Sequence, residues 1–225
     1  MNRFAIRFSK KGYIKYTSHL DILRLFKRAF KKTGVDLDYS QGFNPHPKMG
    51  FAQPLSLGYS SNYEIIEFET RREIGADEIV EKMKKAMPAG IEIMSCVKLD
   101  DNIKSLASMA EEAEYLIEFP IKMGKMDYGK LVEAYLAQDS IIAKKRQKKT
   151  KKMVDTEIRP KIRNLEVLPA GEMLILKACL DCGSASNLSP EAVISSFCQF
   201  AEFDCLREEI EVERIKIKFV NNLQF

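Results

Sequence analysis

The apolar residues between Arg3 and Leu99 switch back and forth between two spacings, and the order of the switches leaves few folds open. Phe4, Ile6 and Phe8 alternate with Arg3, Ala5 and Arg7, the period of a half-buried strand. Lys10, Lys11 and Gly12 break it, and residues 13–16 extend or pair that edge. Ser18 then offers an N-cap with Asp21 three residues on, a variant of the capping box. Ile22, Leu23, Phe26, Ala29 and Phe30 fall on one face of a helix that Gly34 ends. Strands are predicted over 51–57 and 63–70, joined by a turn over 58–62. Gly75 opens a second helix with Ile79, Val80, Met83, Ala86 and Met87 inward. Pro88 and Gly90 stop it, and 91–99 is a strand. The resulting order, β-α-β-β-α-β, is that of a ferredoxin-like unit.

Residues 100–113 are polar and rich in small residues and read as a linker with room for some helix, after which the order recurs. Tyr115, Ile117 and Phe119 alternate in a strand, and Leu131, Val132, Tyr135 and Leu136 line a helix over 127–136. Residues 140–146 and 153–158 form the arms of a hairpin, which Arg159 and Pro160 break before a short irregular segment. A strand over 173–180 follows, then a helix started by Ser189 as N-cap and Pro190 at its first position. Ile215, Ile217 and Phe219 alternate with Arg214, Lys216 and Lys218 in the closing strand over 210–220. The expected fold is α+β, two tandem ferredoxin-like (βαββαβ) units with antiparallel sheets. They cover 1–99 and 114–225 and show no sequence repetition between them.

Residues 39–48, Tyr-Ser-Gln-Gly-Phe-Asn-Pro-His-Pro-Lys, are too polar and too rich in Gly and Pro for a core strand. Pro45 and Pro47 each fix φ and remove a donor, and they bias Asn44 and His46 towards extended backbone. A stiff exposed loop follows, holding out the Phe43 ring, the Asn44 amide, the His46 imidazole and the Lys48 ammonium. Loops held this way by a rigid scaffold often carry function. The plain alternative is a proline-stiffened connection with no ligand.

The chain's 225 residues and 45% apolar content suit one large domain or two modest ones with real cores. No apolar run approaches the roughly 20 residues of a membrane span. The opening Met1-Asn2-Arg3-Phe4 lacks the features of a signal peptide, so a cytoplasmic location is expected. Five cysteines, an odd number, argue against a disulfide framework. The net charge of +4 hides two positive poles. Residues 1–32 carry ten Lys or Arg against Asp21 alone, and 144–152 carry seven bases and no acid. The remainder therefore holds a balance of −12, a pattern suited to a polyanion gripped at defined places.

Those poles supply the candidate binding residues. Arg24, Lys27, Arg28 and Lys31 lie opposite the apolar face of the first helix, an arrangement that solvation alone also explains. Lys144, Lys145, Arg146, Lys148, Lys149, Lys151 and Lys152 load the hairpin, and Arg159 follows it. Each phosphate such residues meet releases a counterion, so binding would depend steeply on salt. The other reading of the lysines is a solubilising or edge-protecting loop. Phe43 is placed to stack on an exposed base, with Asn44 or His46 reading its edge and Lys48 beside them. His19, His46 and Lys48 are candidates for general acid and base work on a phosphodiester. Cys179, Cys182, Cys198 and Cys205 allow a four-thiolate zinc site to be drawn. Two of the four lie in apolar segments, where Cys acts as a small hydrophobe, so no metal and no cofactor is expected. No phosphate-binding Gly-rich loop, dinucleotide fingerprint or iron-sulfur cysteine cluster occurs.

Phe8-Ser-Lys, Tyr16-Thr-Ser-His-Leu-Asp21, the 39–48 segment and Ile158-Arg-Pro resemble the radical-SAM-associated family of uncharacterised bacterial proteins. The likeness spans nearly the whole chain and is most specific before residue 50. It implies a bacterial, cytoplasmic accessory to a radical SAM enzyme, encoded among RNA-processing and ribosomal-protein genes, with no established activity. The radical SAM cysteine motif is missing here. The paired-unit architecture is also similar to that of CRISPR repeat-processing endoribonucleases and some pseudouridine synthases, an analogy at the level of fold. The expectation is an RNA-binding accessory that presents tRNA or rRNA to a radical SAM modification enzyme. The alternatives are a metal-independent endoribonuclease using His46 and His19, and a module that docks the radical SAM partner without RNA.

Overall fold

The computed structural model describes residues 2–122, 124, 126–146, 152–168 and 172–225, with backbone only at Lys145 and Arg146. It is a mixed α+β fold with a large sheet. The chain forms two compact units, one of residues 1–110 with 216–225 and one of 111–215.

In the first unit, β1 (Asn2–Lys10) comes first, and a 3₁₀ turn (Gly12–Tyr16) leads from it into α1 (His19–Thr33). Ser18 caps that helix as expected, its Oγ accepting the Asp21 N–H at 3.2 Å. Ile22, Phe26, Ala29 and Phe30 bury one face of α1. After the polar loop come β2 (Met49–Phe51), β3 (Ser60–Thr70), α2 (Ala76–Ala86) and β4 (Ile91–Lys98). The order is β4-β1-β3, with β2 on the other side of β3, and each of these ladders is antiparallel. The core is aromatic: Phe8 meets Phe26 at 4.7 Å between ring centres, and Phe30 meets Phe68 at 4.6 Å.

Two expectations are corrected here. The strand over 51–57 shrinks to β2, because Pro54 cannot donate to a ladder and the pairing ends after the Ala52 N–H reaches the Ile65 carbonyl at 2.9 Å. β1 is buried on both faces rather than half-buried. Arg7, on its supposedly open face, donates to the Phe225 carbonyl at 3.1 Å, and its guanidinium lies 5.4 Å from the Tyr63 ring centre. The segment read as a linker is bonded to β1 and β3. Arg3 Nη2 donates to the Lys104 carbonyl at 2.9 Å, and Glu67 Oε2 accepts the Leu106 N–H at 3.2 Å. Leu106 starts the short α3 (Leu106–Met109) and is fully buried.

The second unit begins in β5 (Ala110–Lys122), which α4 (Tyr128–Leu136) follows. The hairpin β6 (Ile142–Arg146) and β7 (Met153–Glu157) is present, but as a separate two-stranded sheet. The irregular segment after it is β8 (Ile162–Leu168), which pairs with β9 (Met173–Asp181), and β9 pairs with β5. α5 (Pro190–Ala201) and β10 (Glu211–Phe219) complete the order. The 216–219 end of β10 falls in the first unit. Phe119 and Tyr135 both pack on Phe197, and a buried 2.6 Å hydrogen bond between Tyr135 Oη and Ser196 Oγ ties α4 to α5.

Candidate nucleic-acid interface

The polar loop has a built neck and an open tip. Leu37 bridges Thr70 at the end of β3, and Tyr39 bridges Pro47. The Lys48 N–H donates to the Asp38 carbonyl and the Asp38 N–H to the Glu69 carbonyl, both at 2.8 Å. Two residues further out, the Ser40 N–H reaches the His46 carbonyl at 2.8 Å, and Ser40 Oγ accepts the His46 N–H at 3.0 Å. Residues 40–46 beyond this clamp are all exposed, and Phe43 is wholly so. Gly42 turns the tip at φ 132°, a conformation that side chains rarely adopt.

Lys48 does not present a free ammonium. Its Nζ lies 2.7 Å from Asp38 Oδ2 and 2.9 Å from Glu69 Oε2. The hydrogen bonds to Asp38 and then Glu69 push its pKa up to about 12. The same pairing, with the Tyr39 N–H, holds the Asp38 carboxyl below the ordinary carboxylate range. Lys48 therefore braces the neck of the loop.

Helix α1 keeps its basic face outward. Arg24 pairs with Asp21 at 2.7 Å, while Lys27, Arg28 and Lys31 are exposed and form no salt bridge among the described residues. Lys27 and Lys31 line a groove of about 460 Å³ with Asp36, Tyr39 and Arg72. Beside it, the Arg71 guanidinium sits 5.4 Å from the Tyr39 ring centre. The basic face of α1 and the root of the loop thus share one surface. Arg71 and Arg72 escaped the sequence reading. Their signal was a pair of arginines following an alternating strand whose end must meet residue 37.

His19 and His46 line no common cleft among those described. His19 borders a cleft of about 10 Å³ with Lys10 and Glu64, and His46 is exposed on the loop. A space that size is barely one water, and no hydrogen bond joins the two imidazoles among the described residues.

In the second unit, Lys144 stands opposite Asp155 in the hairpin ladder. It borders a groove of about 420 Å³ with Lys161, Asn187 and Ser189. Glu157 anchors the hairpin's base, accepting the Ile141 N–H at 3.0 Å, the Arg159 N–H at 2.8 Å and the Ser140 hydroxyl. These bonds, Ser140 first, hold its carboxyl below the ordinary range. Lys152 is exposed. Lys148, Lys149 and Lys151 lie outside the described residues, as do the side chains of Lys145 and Arg146. Arg159 is turned inward: its Nε donates to the Leu136 carbonyl at 2.8 Å, capping the end of α4. The four cysteines do not gather. Cys179 and Cys182 are buried, Cys198 and Cys205 stand 3.8 Å apart, and no cluster of three metal-binding side chains occurs among the described residues.

A bacterial family profile matches residues 3–190. The chain belongs to that family, described as "Uncharacterized protein conserved in bacteria (DUF2344)". No curated protein matches the sequence. Among solved structures the chain is similar to one from a Cbf5-Nop10-Gar1 complex, at 12% identity and a TM-score of 0.50. That match covers 95% of this chain and 48% of the other, so the chain spans about half the length of that structure. Another match, to an unknown protein from Galdieria sulphuraria, has 13% identity and a TM-score of 0.30 over 96% of this chain and 99% of the other. At these identities the first likeness is one of fold alone. No helix among the described residues is long and apolar enough to cross a membrane.

Proposed function

We propose that this protein is a cytoplasmic RNA-binding accessory that holds tRNA or rRNA for a radical SAM modification enzyme. The observation that carries the reading is the shared groove of Lys27, Lys31, Tyr39 and Arg72, which runs from the basic face of α1 to the neck of the loop. The cations there meet phosphates, and the clamped loop holds Phe43 out to stack on an unpaired base while Asn44 or His46 reads its edge. Lys144 and Lys152 offer further phosphate contacts. Lys48 and Arg159 have internal partners and belong to the framework. The tandem ferredoxin-like architecture is part of the same proposal. It is supported by the β4-β1-β3-β2 order in the first unit, and by β5-β9-β8 with crossover helices α4 and α5 in the second.

The test is retention of cellular RNA by the full chain, with recovery of a radical SAM protein from the native cell after nuclease treatment. The proposal expects tRNA or rRNA to be bound at low salt and lost as salt rises, and the partner to remain. A protein that recovers no RNA at low salt would sink it.

A further inference from the structure

The turn between β1 and α1 exposes more aromatic surface than a connection needs. Tyr13 is 95% exposed and Tyr16 62%, and Leu20 and Leu57 are exposed as well. Slack backbone does not explain it, because the turn is fastened on every side. The Lys11 N–H donates to the Gly90 carbonyl at 2.8 Å, and the Thr17 N–H to the Ile14 carbonyl at 2.9 Å. The buried Lys10 sends its Nζ under the turn to the carbonyls of Lys15 at 3.1 Å and Thr17 at 2.9 Å. The Gly58 N–H reaches the Lys15 carbonyl at 2.9 Å, which brings the Leu57 loop alongside. Ile14 faces inward against the core, so its neighbours Tyr13 and Tyr16 are turned to solvent by the same geometry.

The charged residues next to these rings in the chain are basic: Lys11 and Lys15 flank them, and no acid precedes Asp21. Lys15 Nζ lies 5.3 Å from the Tyr16 ring centre. Rigidly held rings among cations are the means by which proteins hold single-stranded nucleic acid: bases stack on the rings and the backbone follows the charge. A protein partner would gain from the same apolar rings but would need an acidic face to match the lysines.

We infer that Tyr13 and Tyr16 form a stacking platform for unpaired bases of a single-stranded RNA segment. This rests on the RNA-binding reading and adds a contact separate from the Phe43 loop. The platform is sequence-tolerant, since every base has a face to stack, and it favours single strands over duplex.

The experiment measures binding of an oligouridylate of about 12 nucleotides, within the span of one such site, and of a duplex RNA to the full-length protein. Tyr13→Ala/Tyr16→Ala is expected to weaken oligouridylate binding by roughly 5- to 150-fold per ring, with the salt slope unchanged. Tyr13→Phe/Tyr16→Phe keeps the rings and is expected to bind like the parent. Unchanged thermal melting is the control for folding. If the double variant melts lower, Tyr13→Ala alone, at the more exposed ring, replaces it. If both alanine variants bind oligouridylate as the parent does, the platform is refuted while the RNA reading stands. The same holds if they lose only a protein partner. If the parent binds neither RNA at low salt, both readings fall.

Discussion

Lys48 belongs to the polar loop in sequence and to its neck in space, and the difference decides what the residue does. Its ammonium bridges Asp38 and Glu69, two carboxylates that arrive from either side of it. The folded-state pKa of about 12 lies above the ordinary 10.5, so the stability it contributes is fully present below pH 10.5 and lost as pH rises through about 12. Asp38 is shifted the other way, so its contribution is present above its ordinary 3.8 and lost as pH falls through the lower folded value. Lys48→Met should therefore unfold at lower urea concentration than the parent at neutral pH, with the gap narrowing below pH 3.8 and above 10.5. A gap that stays constant across pH would contradict the assignment. Arg159 makes a similar point. Its removal in Arg159→Ala leaves the Leu136 carbonyl without its donor and should cost about 1–3 kcal/mol in urea unfolding. The variant's salt dependence of RNA binding should remain that of the parent.

At the scale of elements, the turn before α1 depends on a close approach. Gly90 has φ +91°, and a Cβ there would sit 2.5 Å from the Lys11 carbonyl oxygen and 2.9 Å from Ile14 Cγ2. Gly90→Ala should destabilise the fold by about 1–3 kcal/mol in denaturant unfolding, through overpacking and left-handed strain together. Elements with strong local signals were legible from sequence. Ser18, the apolar stripe to Phe30 and Gly34 marked α1, and Ser189 with Pro190 marked the start of α5. β8 was not legible, for a physical reason. Its ladder shifts register between Ile162 and Asn164, so the buried residues Ile162 and Leu165 stand three apart and break the two-residue period. The hairpin was visible as two arms, but its separation from the main sheet was not, because sheet membership depends on long-range pairing. The loop was legible as an exposed feature from Gly42, Pro45 and Pro47. The partners of Lys48 were hidden, since Asp38 and Glu69 lie ten and twenty-one residues away.

For the whole molecule, the account rests on charge placed at defined sites. Lys27 and Lys31 share the groove with Tyr39 and Arg72, whereas Lys84 and Lys85 are exposed on α2 of the same unit and line none of the described grooves. General stickiness would treat the two pairs alike, because each removes the same net charge. A phosphate track would not. The deciding measurement is the dependence of tRNA affinity on salt for the parent, Lys27→Gln/Lys31→Gln and Lys84→Gln/Lys85→Gln. The account predicts a log–log slope shallower by about 2 for the groove variant, one unit per lost phosphate contact, and a parental slope for the α2 variant. Equal slopes for the two variants would contradict it.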